Sequence, residues 1–467
     1  MKQFLPSLRQ RYPRNSFLSW DTRVLLRLAV ILAVLLGSYI LGQHATKMWI
    51  ILIIGGIGVL ILLRTPMLAI FPLILGTFLV KWEIGTGTQS SINVTIIMIA
   101  GILGLWLLEM LVQERRISLY HSRVMPPVIG LCTVVVLSFL IGQLPWFAFA
   151  TQVSLSAQLG GVILFLLSAG AFLWVANRVI DIKWLKWMVW LFLGLGIFYI
   201  VGSLLVGDRI GLIIVPGTTG SVLWIWMVAI SSSQALLNKE LKPGMRILIG
   251  LACGLTLLAG WLNRQWASGW VPAFVAFFAV ISIINWRTGI LIFGTMLVIF
   301  IVFDPNTVTQ LFVNDQYSIF TRQEAWKIVL VEIVKASPLL GLGPANYYNY
   351  TSLFPILGYS IRFNSHNQFV DLIAQIGILG FAMFLWLVGE IFWLGWQLKD
   401  RVSSAFERAY VVGAIGALAG MLVSGMFGDW LIPFVYNIGL NGFRASVFGW
   451  LFLGGLVVIE RLADQQK

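Results

Sequence analysis

Uninterrupted apolar runs of about 20 residues recur along most of this chain and constrain its fold more than any other feature. Each run is long enough for one helix to cross a bilayer, and together they predict about fourteen membrane-spanning helices. Only 10% of the 467 residues are charged, against about 25% in a soluble domain. Apolar and polar residues do not alternate, which argues against a membrane β-barrel. The sequence therefore predicts an all-α, polytopic membrane protein.

The basic residues are distributed as expected for a membrane protein. The net charge is +13, but Lys and Arg lie between apolar runs, so we expect membrane lipids and no nucleic acid as partners. Lys and Arg collect in cytoplasmic loops, and most of them share one side when both termini are cytoplasmic. The predicted parts are a basic cytoplasmic segment 1–23, roughly the first eleven membrane-spanning helices over 24–303, an extracytoplasmic loop 304–366, the remaining membrane-spanning helices over 367–460 and a cytoplasmic tail 461–467.

The predicted extracytoplasmic loop 304–366 is rich in aromatic and apolar residues, so we do not expect disorder. Loops of this length are uncommon unless they are functional or disordered, and we expect short amphipathic helices within it. The segment 321–324 fits the capping box Thr-x-x-Glu, which predicts a helix over 322–336 that stops before Pro338. Arg322 would then be the first helical residue, where an anion could also meet free backbone N–H groups. The alternative is a surface arginine that is solvated or meets lipid phosphate.

His366 is one of only three histidines and lies where the long loop enters an apolar run. The segment 365–368 fits a second capping box, Ser-x-x-Gln, which predicts that His366 begins the next membrane-spanning helix. A helix N-terminus and nearby arginines disfavour imidazolium, and a neutral imidazole can act as a general base. An interfacial histidine packed in a polar rim fits the residues equally well. Asn367 follows directly, and Asp371 and Gln375 lie one turn apart, where they could orient a partner or line a polar groove.

Three further polar residues are predicted to lie outside the bilayer, in turns between spans: Arg209, Arg264 and Asp429. Each could instead be an interfacial residue that meets lipid headgroups. Neither a metal nor a cofactor is expected, because the chain has no metal-binding, phosphate-loop or dinucleotide motif and no carboxylate cluster. The remaining chemistry is a set of cations and one base. These groups suit the stabilisation of a pyrophosphate leaving group while an acceptor hydroxyl is deprotonated.

From Thr321 to Gly380 the chain resembles the O-antigen ligase/polymerase superfamily of bacterial membrane glycosyltransferases. The resemblance rests on a pattern of residues in one order: Arg322 four residues before Trp326, Pro-Leu-Leu-Gly-Leu-Gly at 338–343, and His366-Asn367 before a span that contains Gly377 and Gly380. The resemblance implies an enzyme of the bacterial inner membrane that transfers a glycan from undecaprenyl pyrophosphate to an acceptor hydroxyl. The reaction would take place on the extracytoplasmic face, without a metal.

The resemblance also implies roles for individual residues. Arg322 and Arg264 would hold the pyrophosphate, and His366 would activate the acceptor hydroxyl. Transfer should invert the anomeric centre, because no enzyme carboxylate is placed as a nucleophile. The remaining candidates, expected to contact substrate, are Arg209, Asn367, Asp371 and Asp429.

Two other functions stay open. An O-antigen-type polysaccharide polymerase would use lipid-linked repeat units, and the sequence does not separate it from a ligase whose acceptor is another glycan or glycolipid. A transporter or lipid flippase is the third alternative. Transporters usually show internal repeats and ionisable residues near the bilayer midplane, whereas the polar residues here concentrate outside the predicted spans.

Overall fold

Apolar helices make up most of the structure, as the long apolar runs predict. The computed structural model describes residues 31–32, 34–39, 42, 47–85, 91–263, 267–303 and 316–465. It is 78% helical with almost no sheet, which confirms the all-α class. The chain divides into two compact units, Met1–Pro66 and Met67–Lys467, and the residues discussed below lie in the second unit.

The helices are numbered in chain order. The first unit contains α1, Lys47–Arg64. The second contains α2 (Ile70–Leu79), α3 (Val94–Glu109), α4 (Met125–Ile141), α5 (Leu155–Arg178), α6 (Ile182–Val206), α7 (Ser221–Leu237), α8 (Pro243–Leu262), α9 (Ala267–Ile284), α10 (Trp286–Phe303), α11 (Gln316–Lys327), α12 (Tyr347–Tyr350), α13 (Gln368–Arg401), α14 (Ala405–Phe427) and α15 (Phe443–Gln465). A short antiparallel pair of strands precedes α3, β1 (Glu83–Gly85) and β2 (Ser91–Asn93).

Within the described residues, eight helical segments are long and apolar enough to cross a membrane: Val94–Glu114, Leu155–Arg178, Ile182–Leu212, Pro243–Leu262, Ala267–Ile284, Gln368–Arg401, Ala405–Phe427 and Leu440–Gln465. Shorter apolar helices accompany them, at Gly55–Arg64, Pro66–Leu79, Met125–Ile141, Ser221–Leu237 and Trp286–Ile299. The chain is thus a multi-pass membrane protein. The total of about fourteen spans, the cytoplasmic termini and the domain boundaries stay predictions, since segment 1–23, most of the first apolar run and residues 304–315 lie outside the described residues.

Close approach of helix backbones forms the centre of the second unit. The most apolar 18-residue window of α15 is entirely buried. Beside it, α14 packs on α7 and α9 through Gly413, Gly416 and Gly420. A Cβ atom at Gly416 would lie 3.0 Å from the carbonyl oxygen of Ala276, and one at Gly420 would lie 2.7 Å from that of Pro272. Small residues permit this packing, because larger ones would force the helices apart.

The long helix α13 is interrupted at Gly377, whose φ of 68° lies in the left-handed region that favours glycine. The segment 338–343 runs beside this break and pairs with the peptide groups that it frees. The N–H of Leu342 donates to the carbonyl oxygen of Ala374 at 3.0 Å. Two bonds run the other way, from the N–H groups of Ile378 and Leu379 to the carbonyl oxygens of Pro338 and Leu339. Unpaired backbone groups are costly in a membrane, so the break and the Pro-Leu-Leu-Gly-Leu-Gly segment form one structural unit.

Ser138 on α4 joins the two sides of this unit. Its Oγ lies 2.5 Å from the carbonyl oxygen of Leu340 and 2.6 Å from that of Gln375. The helix comes this close because Gly142 has no side chain; a Cβ atom there would lie 2.8 Å from the Cα of Gly343. The first part of α13 therefore has a fixed direction relative to α4.

The helix predicted over 322–336 begins earlier than expected. It starts at Gln316 as α11 and continues through a π-helical turn and a 3-10 turn, Ile328–Ile333 and Val334–Ala336. Its end before Pro338 is confirmed, but the start at Arg322 is wrong. No Gly or Pro between Gln316 and Thr321 breaks the helix, so the backbone at Thr321 is already helical and cannot adopt the non-helical conformation of an N-cap.

Candidate active site

His366 lies immediately before α13 rather than within it. The helix begins at Gln368, and Asn367 is its N-cap: its Oδ1 accepts from the N–H groups of Phe369 at 2.9 Å and Val370 at 3.3 Å. The prediction that His366 begins the helix is therefore wrong, because the Ser365 hydroxyl bonds Asp371 and the carbonyl oxygen of Asn367, and the Asn367 side chain caps the first turn instead. His366 is left outside the helix with a partly exposed side chain and a φ of 49°.

Three buried polar side chains fix the backbone on the N-terminal side of His366. The hydroxyl of Tyr347 donates to the Oδ1 of Asp371, and the Oγ of Ser365 lies 2.6 Å from the same oxygen. The N–H of Ser365 donates back to the Tyr347 hydroxyl at 3.2 Å. A left-handed conformation at a residue other than glycine costs about 1–3 kcal/mol, and these hydrogen bonds hold the chain in it.

Trp326 ties α11 to the same point of the chain. Its Nε1 donates to the carbonyl oxygen of Ser365 at 2.7 Å. Arg322 lies one turn earlier on the same face of α11, and its half-buried side chain is close enough to His366 to affect the pKa of the imidazole. The hydrogen bond from Trp326 therefore holds the turn of α11 that carries Arg322 near the segment before His366, and their direct pairing at a substrate stays a prediction.

The imidazole of His366 favours its neutral form. Partial burial lowers its pKa, and the positive charge of Arg322 lowers the pKa further. A neutral imidazole has a free lone pair at neutral pH and can accept a proton. A lowered pKa suits the predicted general base, a role that stays a prediction. The helix N-terminus expected at His366 lies instead at Gln368, where Asn367 is the N-cap.

Asp371 and Asp429 are completely buried. The carboxylate of Asp429 accepts from the backbone N–H of Phe434 and the side-chain amide of Asn437, and burial raises the pKa of the Asp429 carboxyl. The Oδ1 of Asp371 is bonded to protein groups as described above. In this structure both carboxylates are buried and accept hydrogen bonds from protein groups, and their contact with a substrate stays a prediction.

The loop 428–439, which joins α14 to α15, is attached to the start of α13. The Oε1 of Gln368 accepts from the N–H groups of Leu431 at 3.1 Å and Ile432 at 2.9 Å. Phe434, in the same loop, stacks on Tyr347 with ring centroids 5.0 Å apart. A movement of this loop would therefore displace Gln368, which lies two residues after His366.

Of the two remaining predicted arginines, the structure describes Arg209 alone. Arg209 lies in the 3-10 helix Gly207–Leu212 with an exposed side chain. Within the part of the chain that the structure describes, no hydrogen bond or ion pair links Arg209 to Arg322 or His366. Arg264 lies outside the described residues.

Several residues that build the site were not predicted. Tyr347 and Ser138 have no sequence signal, because each acts through a contact with a distant part of the chain. The segment 338–343 was recognised as part of the pattern, but its role as the partner of a broken helix depends on Gly377 having a left-handed backbone. The local sequence indicates this role only through two glycines, Gly341 and Gly343, which both have a positive φ in the structure.

Comparison with known families agrees with the motifs. Residues 243–385 match the family model described as O-antigen ligase. The matched region contains Arg322, the segment 338–343, His366 and the break at Gly377. This match confirms the resemblance to the O-antigen ligase/polymerase superfamily. No curated protein matches the chain.

Proposed function

We propose that the protein is a membrane glycosyltransferase of the O-antigen ligase type. It transfers a glycan from undecaprenyl pyrophosphate to an acceptor hydroxyl on the extracytoplasmic face of the bacterial cell membrane, with both termini in the cytoplasm. The observation that carries the proposal is the hydrogen bond from Trp326 to Ser365, which holds the helix that bears Arg322 against the residue before His366. Arg322 and His366 both lie inside the region that matches the O-antigen ligase family.

In this mechanism His366 accepts the proton of the acceptor hydroxyl while that oxygen attacks the anomeric carbon of the donor sugar. The bond between the anomeric carbon and the pyrophosphate oxygen breaks, and the electron pair leaves with undecaprenyl pyrophosphate. Arg322, with Arg264 as its expected partner, stabilises the negative charge that develops on the leaving group. Attack opposite the leaving group inverts the anomeric centre.

The predicted substrate-binding residues divide into two groups. Asn367, Asp371 and Asp429 act by position: Asn367 caps the helix, and the two carboxylates hold Ser365 and the loop 428–439. Arg209 is exposed and free to meet a donor phosphate or a lipid headgroup, and its contact with substrate stays a prediction.

A transfer assay tests the proposal and its alternatives. Purified protein in proteoliposomes, without any gradient, is given labelled lipid-linked glycan with and without a separate acceptor. A ligase forms product only when the separate acceptor is present. A polymerase forms a ladder of products from lipid-linked repeats without that acceptor. A transporter or flippase moves the label across the bilayer without forming a new glycosidic bond, which would exclude glycosyl transfer.

A further inference from the structure

A cavity of about 390 Å³ lies at the same end of the bundle as His366 and has no role in the mechanism above. It opens where α7 begins, α8 ends and the chain enters α15. Its lining includes three aromatic and three polar side chains: Tyr199, Trp224, Trp430, Thr219, Asn263 and Asn441. Another cavity, of about 540 Å³ between α9, α13 and α14, is lined by Ala, Ile, Val, Leu and Phe apart from Ser282, Trp396 and Gly389. The mixed lining distinguishes the smaller cavity from a groove for lipid chains.

The aromatic walls are fixed by close contacts. The Nε1 of Trp224 donates to the carbonyl oxygen of Thr219 at 3.1 Å, and its ring meets Tyr199 edge to face at 6.2 Å. Trp430 lies against Gly220, where a Cβ atom would come within 2.7 Å of the indole ring. Rigid aromatic walls need little reordering when a ligand enters.

The opposite wall is anchored by a polar network. Asn93 donates to the carbonyl oxygen of Leu440 at 2.8 Å and to the Oδ1 of Asn441 at 3.4 Å. The Nδ2 of Asn441 lies 3.3 Å from the carboxylate of Glu83. Asn441 is thus held with its amide in a fixed orientation at the cavity.

We infer that this cavity binds a pyranose ring of the glycan. Aromatic faces pack on the apolar face of a sugar ring, while amide and hydroxyl groups bond its hydroxyls. Trp430 directly follows Asp429, and the next two N–H groups bond Gln368, so the cavity wall and the His366 site share one loop. The inference rests on the proposed glycosyl transfer, and the sugar belongs to either the donor or the acceptor.

Binding of free sugar tests the cavity independently of transfer. Saturation-transfer NMR is recorded on the full chain in nanodiscs with glycan released from the lipid-linked donor, and with rhamnose, glucose, N-acetylglucosamine and glucuronate. We expect saturable binding that Trp430→Ala and Thr219→Phe each weaken roughly tenfold, equivalent to about 1.4 kcal/mol. Two control variants should leave sugar binding unchanged. One is Trp386→Ala, which replaces an exposed tryptophan on α13 away from the cavity, and the other is Thr219→Ser.

No saturable binding of any of these sugars would overturn the inference, as would binding that both cavity variants leave unchanged. If Trp430→Ala aggregates, Thr219→Phe decides the question. His366→Ala should keep sugar binding but lose transfer, so a failure of the proposed mechanism is distinguishable from a failure of this site.

Steady-state transfer separates the two sources of the sugar. Thr219→Phe should raise KM for the lipid-linked donor if the ring is the donor's, or for the acceptor if it is the acceptor's. Thr219→Ser is the matched control, because it keeps the hydroxyl that donates to the carbonyl oxygen of Pro216. An unchanged KM for both substrates contradicts the inference.

Discussion

Two regions keep their backbone polar groups paired in different ways. One is the crossing of α14 with α7 and α9, and the other is the break in α13. Backbone polar groups must be satisfied inside the protein when no water is present. At the crossing the helices stay intact and glycines let them approach, with Gly416 near the carbonyl oxygen of Ala276. At the break, the freed peptide groups are paired with a second segment and with Ser138. The paired break shows how a membrane helix can be interrupted at Gly377 without unpaired peptide groups. The first part of α13, which follows His366, is thereby held in a fixed position.

The largest expected effect comes from a side chain at the break itself. At Gly377 a Cβ atom would collide with the carbonyl oxygen of Leu339, and the φ of 68° is strained for any residue with a side chain. We expect Gly377→Ala to lower stability by at least about 3 kcal/mol, measured by thermal unfolding in detergent. Gly416→Ala at the crossing should cost less, because its backbone is helical.

The control lies on the same helix. A Cβ atom at Gly389 meets nothing within 4 Å, so Gly389→Ala should leave stability unchanged or raise it by about 0.5–1 kcal/mol. Equal losses for Gly377→Ala and Gly389→Ala would show that the break has no special role.

A smaller effect is expected from Ser138→Ala. The change removes the hydroxyl between the carbonyl oxygens of Leu340 and Gln375, and leaving a buried acceptor unpaired costs about 1–3 kcal/mol. Thr133 on the same helix donates to the carbonyl oxygen of Ile129 one turn earlier, so Thr133→Val should unfold at the same temperature as the wild type. A Ser138→Ala protein as stable as Thr133→Val would refute the role given to Ser138.

Trp326→Phe tests the link between α11 and His366. It keeps an aromatic ring but removes the N–H that bonds Ser365, so we expect a stability loss of only about 1 kcal/mol. Because the turn of α11 that bears Arg322 is then no longer held against Ser365, kcat should fall more than the stability loss alone explains. Unchanged kcat with folded protein would show that this hydrogen bond does not position the site.

The smallest expected change is in the pKa of His366. Its pKa is lowered first by burial and then by Arg322, so Arg322→Gln should raise it. The base form is neutral, and the acid limb of the wild-type rate profile should therefore rise through a pKa below the ordinary histidine value. NMR titration of labelled histidines measures this pKa directly, since the chain has only three histidines. An unchanged His366 pKa in Arg322→Gln would show that the charge of Arg322 does not influence the imidazole.

The sequence was sufficient for the fold class and for the family resemblance, because long apolar runs and short motifs are local signals. It was not sufficient for the helix starts. The helix already begins before the capping box at 321–324, and Asn367 rather than Ser365 caps the helix at the box 365–368. Contacts between distant segments, such as Tyr347 with Asp371, leave no local pattern and could be found only from the structure.

The central claim is that His366 removes the proton of the acceptor hydroxyl beside Arg322. Single-turnover transfer of labelled glycan by His366→Ala, in proteoliposomes with saturating donor and acceptor, tests it most directly. We predict a rate at least about 100-fold below wild type, with little change in thermal unfolding, because the side chain is partly exposed and lies outside the helix. Transfer by His366→Ala at the wild-type rate would contradict the account.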